Sequence, residues 1–126
     1  MKLKFYKCAT CGNVIVKTVD SGVPVVCCGQ PMEEIKAGAV DAAVEKHVPA
    51  VTCDGNKIDA VVGDTIHPMM DEHYIQFICL ETEKGMQIRY LSPSDEPKAS
   101  FCVSEDDKAV AVYELCNLHG LWVKEL

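Results

Sequence analysis

Val48-Pro49-Ala50-Val51-Thr52-Cys53-Asp54-Gly55-Asn56-Lys57-Ile58-Asp59-Ala60-Val61-Val62 reads as two strands joined by a turn. Residues 48–53 and 56–62 are rich in β-branched side chains. Asp54-Gly55 between them is a strong hairpin signal, because glycine supplies the positive φ that a tight turn demands. The pattern recurs downstream. Residues 74–81 alternate and meet 86–91 across Glu83-Lys84-Gly85, and Ser92-Pro93-Ser94-Asp95-Glu96-Pro97 is a loop. Residues 99–103 and 109–116 are expected to pair across Ser104-Glu105-Asp106-Asp107, and 121–124 close the set. About seven short strands at regular spacing predict an antiparallel β-sandwich.

The chain before this stretch has a different character. Residues 2–7 alternate, with Leu3 and Phe5 on one side, and suggest a short strand. Cys8-Ala9-Thr10-Cys11-Gly12-Asn13 follows, where Gly12 and Asn13 suit a knuckle that turns the chain after two thiols. Residues 14–19 read as a second strand, Asp20-Ser21-Gly22 as a turn, and 23–26 as a lead into Cys27-Cys28-Gly29. Two cysteine knuckles joined by a hairpin thus form a small module over residues 1–36. Residues 37–46 are small and weakly helical. They read as a linker with a short turn of helix, Asp41 being its cap, that delivers Glu45-Lys46-His47 to a second domain over 37–126.

At 126 residues the chain accommodates one small module and one compact domain. No apolar run approaches a membrane span, and the opening Met1-Lys2-Leu3-Lys4-Phe5-Tyr6-Lys7 lacks the apolar segment of a secretory signal. The expected location is the cytoplasm, with no membrane partner. A net charge of -7 and a pI near 5.0 exclude a phosphate-binding basic stripe and hence nucleic acid. The acidity serves solubility first. It also means that an anionic substrate needs a local positive spot.

Eight cysteines without a secretion signal read as metal ligands or redox groups before disulfides. Cys8, Cys11, Cys27 and Cys28 fit a tetrahedral four-sulfur site, although adjacent Cys27 and Cys28 reach one metal only with distortion. Spacing does not separate iron from zinc here, and a module this small needs either metal to fold. Cys53, Cys79 and Cys102 sit among apolar strand residues and are expected to be buried. Tyr6, Tyr74, Tyr90 and Tyr113 fit half-buried strands. Trp122 is either core or a lid over imidazoles.

The chain has four histidines, His47, His67, His73 and His119, and each falls at a predicted strand end or loop. Pro68 holds His67 extended. Cys116-Asn117-Leu118-His119 ends the longest late strand. If these four imidazoles and the Cys116 thiolate share one ferrous ion, the centre keeps a net charge of about plus one, a positive spot on an acidic protein. Four equatorial nitrogens and an axial sulfur leave a sixth position, and the thiolate pushes electron density toward it. Glu45-Lys46 beside His47 is, for any such pair, first of all a solvated charge pair. A pure electron carrier needs no vacant position. A mononuclear iron oxygenase beside a zinc module would use two histidines and a carboxylate.

These motifs carry a resemblance. The cysteine quartet, Glu45-Lys46-His47-Val48-Pro49, His67-Pro68-Met69 with His73, and Cys116-Asn117-Leu118-His119-Gly120, taken in that order, resemble desulfoferrodoxin, the two-iron class of superoxide reductase. The resemblance covers essentially the whole chain. It implies a desulforedoxin-type iron on Cys8, Cys11, Cys27 and Cys28, with zinc as the alternative occupant in recombinant protein. It implies a catalytic iron with His47, His67, His73 and His119 equatorial and Cys116 axial. Glu45 would bind the ferric ion at the sixth position after turnover, and Lys46 would guide superoxide and support protonation. The implied activity is one-electron reduction of superoxide to hydrogen peroxide without dioxygen production, as oxidative-stress defence in an anaerobe or microaerophile. The resemblance further implies an immunoglobulin-like sandwich, a homodimer and a rubredoxin-like electron donor.

Overall fold

A computed structural model describes residues 3–38, 44–63 and 67–126, and of Glu45 the backbone alone. Asp41, the expected cap, and Asp64, expected in a turn with Gly63, lie outside the described residues. Met1 aside, the chain divides into two compact units, Lys2–Lys36 and Ala37–Leu126.

In the first unit β1 (Phe5–Lys7) pairs with β2 (Val14–Val16). The expected hairpin between residues 14–19 and 23–26 does not form. Instead β3 (Val26–Cys27) pairs with β4 (Gln30–Pro31), and β5 (Glu33–Glu34) lies on the other edge of β1. Each cysteine knuckle is therefore the tip of its own hairpin. The first is closed by Cys8 N–H to Asn13 O at 2.9 Å and Gly12 N–H to Cys8 O at 3.0 Å. The valines beyond β2 have no apolar face to bury: Val19 is 87% exposed and Val23 67%. β-Branched residues favour strands only where such a face exists.

The second unit opens with α1 (Val44–His47) and continues through β6 (Pro49–Asp54), β7 (Lys57–Val62), β8 (Ile75–Thr82), β9 (Met86–Tyr90), β10 (Lys98–Cys102), β11 (Ala109–Cys116) and β12 (Gly120–Glu125). Two antiparallel sheets result, ordered β10-β7-β6 and β12-β11-β8-β9. Ile58, Ala60, Val62 and Phe101 from one sheet meet Ile75, Ile78, Leu80, Val112 and Cys116 from the other. This is the mainly β, sandwich-type fold expected. In the β6–β7 hairpin Gly55 adopts φ 59° at the tip, the left-handed conformation for which the turn selects glycine.

The expected hairpin between residues 99–103 and 109–116 is absent. β10 runs along β7, whereas β11 inserts between β8 and β12 in the other sheet. Local pattern does not distinguish a hairpin from a crossover between sheets. The edges of the two sheets are laced by side chains, Gln87 Nε2–H to Cys102 O at 2.7 Å and Arg89 Nη2–H to Ser100 O at 3.3 Å.

β8 and β11 are buried on both faces over most of their length. Tyr113, expected half-buried, is enclosed and donates to Glu81 Oε1 at 2.8 Å, whereas Tyr90 is 79% exposed; Tyr6 and Tyr74 are half-buried. Cys79 is buried as expected. Cys53 and Cys102 are instead exposed: Cys53 lies near the end of β6 opposite Ile58, and Cys102 points to the outer face of β10 between buried Phe101 and Val103. Glu114 shares the core-facing side of β11 with Val112 and Cys116. It is fully buried, and among the described residues neither carboxyl oxygen has a hydrogen-bond partner.

Candidate metal centres

The N-terminal unit gathers Cys8, Cys11, Cys27 and Cys28, whose sulfurs all lie within 4.8 Å of one another. Cys11 Sγ and Cys27 Sγ are 3.6 Å apart. A tetrahedral metal at about 2.3 Å from each sulfur requires about 3.8 Å, so the set fits a four-thiolate ion. Adjacent Cys27 and Cys28 converge because Cys28 takes φ 53°, the one positive φ among the described non-glycine residues. In an extended strand the two side chains would point to opposite faces. A left-handed residue here costs about 1–2 kcal/mol, and Gly29 at φ 75° completes the turn. The distortion expected of the adjacent pair is thus taken up by the backbone. The Cys11 backbone N–H, 3.4 Å from Cys8 Sγ, is the main reason the Cys8 thiol is lowered to about 6. Crowding against Cys11 then raises Cys28 to about 12. Only a cation ionises all of the thiols together.

In the second unit four imidazoles close a ring. His47 ends α1, where Val48 N–H bonds Val44 O at 3.0 Å. His67 stands in the loop after β7, and His73 in a bridge with Met70. His119 lies in the turn between β11 and β12, whose closing pair is Cys116↔Gly120. Neighbouring ring centroids are 4.7–5.0 Å apart in the order 47, 67, 73, 119 and back to 47, each pair nearly perpendicular at 78–89°. His47 Nε2 is 3.1 Å from His119 Nδ1 and 3.3 Å from His67 Nε2. Nitrogens about 2.1 Å from a shared metal stand about 3 Å apart as neighbours. Cys116 Sγ lies within 4.8 Å of the donor nitrogens of His47, His67 and His73 and 4.0 Å from His119 Nδ1. One sulfur close to all four rings caps one side of the ring.

The tautomers and charges suit this donor set. His67 Nδ1–H donates to Pro68 O at 2.6 Å; a carbonyl only accepts, so the lone pair sits on Nε2 and points inward. Burial pushes His67 down to about 4 and also lowers His73, keeping both neutral. Among the described residues the buried Nε2 of His73 has no hydrogen-bond partner, as a nitrogen reserved for a metal would. Burial raises the Cys116 thiol, and the backbone N–H groups of Leu118 and His119 oppose that by favouring the thiolate. Lys46 is exposed beside His47, and its charge reaches the ring as one of the smaller influences lowering His73. The Glu45 backbone lies in α1; its side chain is outside the described residues.

Two residues support the ring: Trp122, read from the sequence as either core or a lid, and Asn117, without a role at the level of sequence. Trp122, 5% exposed, stacks on His47 at 5.1 Å and 27°, and its Nε1–H donates to His119 O at 3.0 Å. It is therefore a flank of the ring as well as core. Asn117 bonds the segment around His73. Their positions inside and beside the Cys116–His119 motif were the available signal, but nothing in that spacing says what they touch.

A four-thiolate knuckle and a four-imidazole, one-thiolate ring on a β-sandwich define a two-centre non-haem metalloprotein, and both donor sets fit iron. The chain belongs to the desulfoferrodoxin family: the family's main model matches residues 39–125 and its N-terminal-domain model residues 1–35. A desulfoferrodoxin homolog of Archaeoglobus fulgidus is 43% identical over 121 residues, covering 95% of this chain and 94% of that one. The desulfoferrodoxin of Nitratidesulfovibrio vulgaris is 40% identical over 122 residues, covering 97% and 95%. The crystal structure of the superoxide reductase from Treponema pallidum superposes with a TM-score of 0.82 at 35% identity, over 99% of this chain and 100% of that one. A one-iron superoxide reductase from Giardia intestinalis matches 65% of this chain and 99% of its own, with a TM-score of 0.54 and 35% identity.

Proposed function

We propose that the chain is a superoxide reductase, which takes superoxide, one electron and two protons to hydrogen peroxide and releases no dioxygen. The observation that carries this is the closed ring of His47, His67, His73 and His119 capped by the buried Cys116 thiol. Five donors fill all but one position of an octahedral ion. His47, His67, His73, His119 and Cys116 would hold a ferrous ion that would supply the electron, and the Cys116 thiolate would strengthen its donation to a small anion. The residues do the rest. Burial keeps His67 and His73 neutral, so these two imidazoles add no charge of their own on a chain whose net charge is -7. Lys46 at the end of α1 supplies local positive charge that draws superoxide in and supports protonation. Glu45 would offer a hard carboxylate that suits ferric iron after turnover and would displace product. The Leu118 and His119 N–H groups favour the thiolate form of Cys116 against the burial that raises its thiol.

In this reading residues 1–36 form a desulforedoxin-like module and 37–126 the catalytic domain. A rubredoxin-like protein returns the electron, two chains form a homodimer, and the enzyme works in the cytoplasm of an anaerobe or microaerophile. No helix among the described residues is long and apolar enough to cross a membrane. The test combines iron analysis with simultaneous peroxide and dioxygen measurement during superoxide consumption. Two irons per chain and peroxide without dioxygen are expected. Dioxygen appearing alongside peroxide would mean dismutation and overturn the proposal.

A further inference from the structure

We infer that Asn117 is a positioning residue that ties the loop carrying His73 to the turn carrying Cys116 and His119, and so sets the separation of the His73 nitrogen and the Cys116 sulfur. The inference rests on the reading of these side chains as ligands of one iron. Asn117 follows Cys116 directly, and its side chain reaches both chain neighbours of His73. Oδ1 accepts the Tyr74 N–H at 2.9 Å, and Nδ2–H donates to Glu72 O at 3.2 Å. The Asn117 backbone N–H adds a bond to Tyr74 O at 3.2 Å. The orientation of the amide is unambiguous, because Tyr74 offers a donor and Glu72 an acceptor.

The place matters because regular pairing falters here. β11 and β8 pair in register as far as Leu115↔Phe77, and the register shifts before Cys116↔Ile75. A bulge re-aims the side chains that follow it. Beyond it, His73 has the Met70 bridge, through Met70 N–H to His73 O at 2.9 Å and His73 N–H to Met70 O at 3.1 Å. That bridge is internal to its own loop. Among the hydrogen bonds described, those of Asn117 join the backbone on either side of His73 to the Cys116 turn. Asparagine suits both partners at this reach. Aspartate presents two acceptors, serine is too short, and glutamine is one methylene longer.

The test uses the full chain loaded with iron at both centres, comparing wild type, Asn117→Ala and Asn117→Asp. The readouts are iron release to a chelator and the energy of the thiolate-to-ferric-iron charge-transfer band. Asn117→Ala should release iron from the histidine–cysteine centre about 10- to 100-fold faster, as losing a partner of the ligand shell does elsewhere, and should shift the band. Asn117→Asp, isosteric and still able to accept from Tyr74 N–H, should fall between. The four-cysteine iron in the same molecule should keep its spectrum and release rate. Unmoved release and band in both variants, or parallel loss from both centres, would overturn the role of Asn117. A wild-type protein lacking the band and the second iron would overturn the ligand reading itself, and this inference with it.

Discussion

Glu114 offers a direct test of what the sandwich core costs. Burial raises its carboxyl from 4.5 to about 9, so the folded protein carries it protonated at neutral pH, whereas the unfolded chain ionises it. Between those values the native state binds more protons than the unfolded one, so stability falls as pH rises and levels off only above the folded value. Among the described residues the side chain has no hydrogen-bond partner to offset this, so the term is unfavourable throughout that window. At pH 7 the 2.5 units above the unfolded value correspond to about 3 kcal/mol, and at pH 5 to about 1 kcal/mol. Glu114→Gln keeps the shape and stays neutral in both states. Urea unfolding of the metal-loaded wild type and variant at pH 5, 6, 7 and 8 should therefore show the variant more stable, by a margin that widens with pH. Titration of the metal ligands is common to both proteins and cancels in the difference. Parallel stability curves would show that Glu114 is ionised or hydrated in the native protein, and the buried-acid account would be wrong.

Lys46→Ala should slow superoxide capture by on the order of tenfold at low salt and flatten its salt dependence, with iron content unchanged; pulse radiolysis across ionic strength checks this. Cys28→Ser should remove metal from the N-terminal centre alone, so that metal analysis returns one iron per chain with the histidine–cysteine spectrum intact. Loss from both centres would mean the donors are wrongly partitioned. Trp122→Phe keeps a ring on His47 but removes the donor to His119 O, and should cost about 1–2 kcal/mol in thermal unfolding while perturbing the spectrum of the histidine–cysteine iron.

Much of the strand layout was legible because alternation is local. Residues 109–116 follow from a short apolar, β-branched run between turn signals, and the turn at Gly55 from glycine chemistry. Pairing was less so. The segments 99–103 and 109–116 look like a hairpin in sequence, yet they belong to different sheets, since partner choice depends on which strands already offer an apolar edge. Cys53, Cys79 and Cys102 read alike in sequence and divide into one buried and two exposed, because the face a residue occupies and how far the facing sheet extends decide cover. Glu114 was invisible as a core residue for the opposite reason: a carboxylate in an alternating strand marks a solvent face unless something encloses both sides.

The sequence by itself determined which donor atoms exist and which of them are near neighbours in the chain. Cys8 with Cys11, Cys27 with Cys28, and Cys116 with His119 are held close by short tethers, and such proximity is a property of the covalent chain. It also determined that four histidines and one sulfur could share an ion. Only the tertiary structure decided that His47, His67 and His73, borne on separate segments, close a ring with His119 above Cys116. Loop closure across a sandwich depends on sheet register, on the bulge before Cys116 and on contacts such as those of Asn117 and Trp122. These are long-range packing choices that no local pattern encodes, because each is settled by what the other strands leave free.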